Sequence, residues 1–100
     1  MRVIGIAVFI VFAVRAEAPR DLNNRGIELY REGRYGEAEK SFRAALEGWD
    51  AGGAKHDRAL TLTNLAVLYR STGRFDDAEQ LLRESLRDLE ALDGPESVSV

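Results

Sequence analysis

The sequence contains no cysteine. That excludes disulfide cross-links, a cysteine nucleophile and lipid attachment through an N-terminal cysteine. Histidine occurs once, at His56, and it has no serine or carboxylate set beside it that would make a catalytic constellation. Tracts of lysine and arginine are also missing, so nothing in the chain is built to neutralise a row of phosphates. Nucleic acid and anionic lipid are therefore poor partners. The acidic run Asp76, Asp77 and Glu79 has no second source of ligands, which leaves no metal site and no cofactor site to name.

Long hydrophobic runs are scarce as well. A bilayer-spanning helix needs about 20 apolar residues, whereas the longest run, VIGIAVFIVFAV at residues 3–14, has twelve. Arg2 precedes it, and Arg15, Ala16, Glu17 and Ala18 follow. A positive start, a short apolar core and small residues at Val14 and Ala16 are the marks of a secretory signal peptide. Cleavage is expected after Ala16, because a cut after Ala18 would place Pro19 directly behind the bond. The mature chain then has 84 residues, with twelve cationic and seventeen acidic side chains, a net charge of −5. The expected location is outside the cytoplasm, periplasmic or secreted, with no membrane contact after cleavage. An uncleaved N-terminal anchor is the alternative.

What the chain does have is an internal duplication. Residues 24–46 and 64–86 align without a gap at an offset of 40. Asn24/Asn64, Gly33/Gly73, Arg34/Arg74, Tyr35/Phe75, Ala38/Ala78, Glu39/Glu79, Arg43/Arg83 and Leu46/Leu86 all keep it. Within each copy the apolar spacing is helical. Leu22, Gly26 and Leu29, then Leu62, Leu65, Ala66 and Tyr69, mark the first helices. Tyr35, Ala38, Phe42, Ala45, Leu46 and Trp49, then Phe75, Ala78, Leu81, Leu82, Leu86 and Leu89, mark the second. Gly33 and Gly73 stand where a left-handed cap would end the first helix of each copy. Acidic residues open the second helices, and Glu39 with Arg43, like Glu79 with Arg83, lie at i and i+4 in the acid-first order that supports a helix.

These residues resemble the tetratricopeptide repeat, whose pattern has a small residue in the first helix, a turn glycine, an aromatic two residues later, then Ala, an aromatic or Leu, and a small residue followed by Leu. Gly26, Gly33, Tyr35, Ala38, Phe42, Ala45 and Leu46 match in the first copy. Leu62, Leu65, Ala66, Tyr69, Gly73, Phe75, Ala78, Leu82 and Leu86 match in the second, with Ser85 where Ala is usual. Arg25 and Glu28 depart from the pattern in the first copy, as a terminal repeat with one face in water allows. The offset of 40 exceeds the common period of about 34. The surplus falls in the glycine-rich connection 48–56, which reads as a loop and resembles the kinesin-light-chain-like variety.

The resemblance implies an all-α, right-handed α-solenoid of two helix-turn-helix units, four antiparallel helices, over residues 17–92. The repeats would occupy about 20–50 and 60–92. It also implies a non-enzymatic module that binds a protein or peptide in the concave groove of the first helices. Carried onto this sequence, the groove residues are Asn23, Asn24, Ile27, Tyr30, Arg31, Thr63, Asn64, Val67, Arg70 and Ser71. An asparagine amide offers both donor and acceptor and can hold an extended backbone, or it can simply bond a neighbouring helix. Only Arg31 and Arg70 could clamp a ligand carboxylate there. Trp49, on the apolar stripe of its helix, is expected in the core rather than as a partner anchor. Residues 93–100 read as the lead-in to a third unit, and Leu81, Leu89 and Leu92 are expected to face it. A homodimer closing that edge, or a truncated longer array, is the alternative to a finished binding module.

Overall fold

The computed structural model describes residues 17–93. The proposed signal peptide at 1–16, and all but the first residue of the lead-in at 93–100, lie outside the described residues. Four helices follow one another: α1 (Pro19–Arg31), α2 (Tyr35–Gly52), α3 (Lys55–Ser71) and α4 (Phe75–Asp93). There is no strand among the described residues, and no helix among them is long and apolar enough to cross a membrane.

The first three helices end for the same local reason. Gly33, Gly53 and Gly73 have φ of 80°, 69° and 83°, a conformation that costs a residue with a Cβ about 1–2 kcal/mol. Behind each glycine the backbone makes the same pair of bonds. Gly33 N–H donates to Tyr30 O at 3.0 Å and Arg34 N–H to Leu29 O at 2.9 Å. In the second copy Gly73 donates to Arg70 O and Arg74 to Tyr69 O, at 3.2 and 2.8 Å. These are Schellman closures, which satisfy carbonyls that the helix end leaves open. The next helix then starts without a Ser or Thr cap. The arginine carbonyls accept from Ala38 and Ala78, while the Arg34 guanidinium grips Glu37 through Nε at 2.6 Å and Nη2 at 3.0 Å.

The extra residues between the copies are helical, contrary to the loop expected from their glycines. α2 runs on through Gly52 and α3 begins at Lys55. A single left-handed residue, Gly53, makes the reversal, so the longer period lengthens two helices. His56 accordingly lies in the first turn of α3.

Within the first pair, Gly26 lets α1 approach α2 closely. A Cβ there would stand 2.6 Å from Phe42 Cε1. Ser41 Oγ donates to Leu22 O at 2.6 Å across the same crossing. In the second pair, Ser85 Oγ donates to Ala59 O at 3.1 Å, which explains how a hydroxyl replaces the usual alanine at a buried crossing. Between the pairs lies one core of Ala38, Phe42, Leu65, Ala66, Leu68, Tyr69 and Ala78, flanked by Ile27, Leu29, Tyr30, Leu46 and Leu81.

Arg58 of α3 ties this stack together. It bonds Asp50 of α2 at 2.5 Å and Glu84 and Asp88 of α4 at 2.7 and 2.6 Å. Hydrogen bonds from Glu84 foremost, with Asp88 and Asp50, raise its pKa against the opposing effect of burial, so its charge is secure. The outward face of α4 differs from expectation. Leu81 packs on the core and Leu89 is half-buried, whereas Leu82 and Leu86, each 43% exposed, and Leu92 stand open. Residues 81 and 82 are adjacent on the helix, and the sequence spacing admits either as the inward one.

Candidate binding face on the first helices

α1 and α3 lie side by side as the first helices of the two units, and the side chains between them form two polar links. In the first, Trp49 Nε1 donates to Thr61 Oγ1 at 2.9 Å, and Thr61 donates onward to Asn23 Oδ1 at 3.0 Å. Asn64 Nδ2 donates to the same Asn23 oxygen at 3.1 Å. Three helices are thereby joined through one acceptor. In the second link, the Tyr30 and Ser71 hydroxyls are 2.6 Å apart. The Tyr30 ring also rests on Tyr35, with centroids 5.4 Å apart.

The ten residues read from the sequence therefore divide. Asn23 and Asn64 are committed to each other, as are Tyr30 and Ser71. Asn24 does not share the role of Asn64 despite holding the equivalent place. It is exposed, and with Ile27 and Arg31 it lines a shallow depression along α1. Arg31 is paired with Glu28 at 3.1 Å. Thr63 turns to the other side of α3, donating to Ala59 O at 3.0 Å and lying 3.3 Å from Ser85 Oγ. Val67 and Arg70 are exposed on α3.

Two residues on this surface are not among the ten. Thr61 is buried and joins Trp49 to Asn23. Its signal in the sequence is a hydroxyl set into the apolar stripe of α3. Leu60 is 53% exposed and lies four residues before Asn64 and seven before Val67, hence on the same helix face. With Val67, 40% exposed, it gives that face of α3 an apolar strip, and Arg70 is exposed on the same helix.

Behind the face, Tyr69 is held by three charges. Its hydroxyl donates to Glu39 Oε2 at 2.6 Å and accepts from Arg43, while the Arg74 guanidinium lies 3.8 Å above its ring. Burial and the bond to Glu39 push the Tyr69 pKa up. Burial alone would raise Glu39 too, but the bonds from Tyr69 and Arg43 with the charge of Arg74 outweigh it and hold the carboxylate low. No buried side-chain polar atom among the described residues lacks a partner. These shifts belong to a satisfied structural network.

Two stacked helix-turn-helix units, each closed by a left-handed glycine and sharing one core, define a helical repeat protein. The chain belongs to the tetratricopeptide repeat family, whose model matches residues 21–91. Such repeats generally mediate contacts between proteins. No solved structure matches the chain.

Proposed function

We propose that this is an exported, non-enzymatic binding module of the kinesin-light-chain-like variety, which holds a peptide or protein segment against α1 and α3. The observation that carries the reading is the apolar pair Leu60 and Val67, left in solvent on α3 while Asn64 and Ser71 of the same helix are tied to α1. A face of that kind offers burial to apolar side chains and bonds to an extended backbone. The committed Asn23–Asn64 and Tyr30–Ser71 links hold the two helices in place, so little ordering is needed on binding. Asn24 and Arg70 remain the polar side chains wholly available to a ligand, whereas Arg31 would have to leave Glu28.

A peptide library panned against residues 17–100 tests this. Selected peptides should lose at least about tenfold in affinity on Val67→Asp and on Leu60→Asp, with the thermal melt unchanged. Peptides indifferent to both changes would place binding elsewhere and defeat the reading. Export is tested by mass spectrometry of the protein recovered from cells. A mature start at Glu17 is expected, and an intact Met1 in all fractions would refute it.

A further inference from the structure

The bonds that join Trp49 of α2, Thr61 and Asn64 of α3 and Asn23 of α1 can run in one direction only. An indole N–H donates and never accepts. Thr61 Oγ1 takes the Trp49 N–H at 2.9 Å. Unlike Thr63 and Thr72, Thr61 makes no bond to a carbonyl of its own helix, so its proton goes on to Asn23. The atom that receives it at 3.0 Å is therefore the amide oxygen of Asn23. That oxygen also accepts from Asn64 Nδ2 at 3.1 Å, which fills both its lone pairs.

Two atoms are left over. Asn23 Nδ2 and Asn64 Oδ1 take no bond among the described residues, and no buried side-chain polar atom among those residues lacks a partner, so both atoms reach solvent. One can only donate and the other can only accept. Asn64 lies four residues after Leu60 and three before Val67 on the same side of α3, so the acceptor opens between the two exposed apolar side chains.

We propose that Trp49 and Thr61 are positioning residues for binding, which turn the Asn23–Asn64 pair so that it holds the backbone of an extended peptide in one chain direction. The inference rests on the function proposed above. A helical ligand spends its backbone groups on itself, whereas an extended one can offer a carbonyl to Asn23 and an N–H to Asn64. Reversing the chain exchanges those two groups, which sets donor against donor and acceptor against acceptor.

Two measurements test the assignment. In the free chain, NMR of the side-chain amides should find one exchange-protected proton on Asn64 and none on Asn23. In Thr61→Val, which keeps the volume and loses the relay, protection should spread to Asn23, and Thr61→Ser should behave as the parent. Trp49→Phe removes the donor without leaving one unpaired, and it serves if Thr61→Val does not fold. Equal protection of the two amides in the parent overturns the fixed polarity.

The second measurement uses a peptide selected as above that needs both Leu60 and Val67, remade with each backbone amide replaced in turn by an ester. At one position the ester should weaken binding to the parent about fivefold, and to Thr61→Val or Trp49→Phe less than about twofold. If no position is sensitive, or if the sensitivity is the same in the variants, this inference fails and the proposed function stands. If no selected peptide needs Leu60 and Val67, the proposed function fails and takes this inference with it.

Discussion

At the scale of single residues, the crossing of the first pair rests on a small residue set under a large one. The first sets Gly26 under Phe42, and the second has Ala66 and Leu82 at the same places. Gly26→Ala adds a methyl at 2.6 Å from the Phe42 ring. Overpacking costs about 1–3 kcal/mol and loss of a helical glycine returns up to about 1 kcal/mol, so a net loss of about 1 kcal/mol is expected in urea unfolding. Adding Phe42→Leu should recover part of it, and strict additivity of the two changes would contradict the contact.

Tyr69 and Glu39 give the fold sensitivity at both ends of the pH scale. Glu39 is held below its ordinary pKa in the folded state, so its contribution is present at neutral pH and is lost as pH falls through the carboxylate range. Tyr69 is raised, so its contribution is present below the usual tyrosine range and is lost as pH climbs through it. Thermal melts of Glu39→Gln should flatten on the acid side, and those of Tyr69→Phe on the alkaline side. If both variants keep the parent's pH profile, the network does not govern it.

At the scale of helices, the turns were the most legible part. A glycine followed by arginine and an aromatic, repeated at an offset of 40, is enough to place Gly33 and Gly73 between helices. The Gly52–Gly53 pair misled, because composition cannot say that the first glycine stays helical and only the second reverses the chain. The binding face was half legible. Which residues point outward follows from helical period, but which of them meet across α1 and α3 depends on how far one helix is shifted along the other. An alignment of copies matches Asn24 with Asn64, whereas the packing joins Asn23 to Asn64.

Arg58 is the clearest inter-helix tether, and its three carboxylate partners lie too far apart in sequence to be read together. Arg58→Leu leaves the buried Asp88 without its guanidinium and is expected to cost about 2–3 kcal/mol in denaturant unfolding. Asp88→Asn added to that variant should restore part of the loss. A neutral Arg58→Leu would show that solvation replaces the tether.

At the scale of the molecule, the core is unevenly shared. α3 buries Ala59, Thr61, Leu62, Leu65, Ala66, Leu68 and Tyr69, whereas α1 buries only Gly26. In a stack where each element contacts its neighbours, the central helix should open last. Hydrogen exchange should find α3 amides the slowest and α1 the fastest, and equal protection in the two would mean that the whole stack opens as one unit.

The chain has a single tryptophan, and it sits at the seam. Trp49 belongs to the first unit by sequence but donates its indole N–H to Thr61 of the second. Its emission therefore reports whether the two units are docked, largely independently of how helical each one is. Excited selectively, it should shift to the red as the seam parts, and a shift that precedes the loss of helical dichroism would let the coupling between the units be read optically, with no label attached.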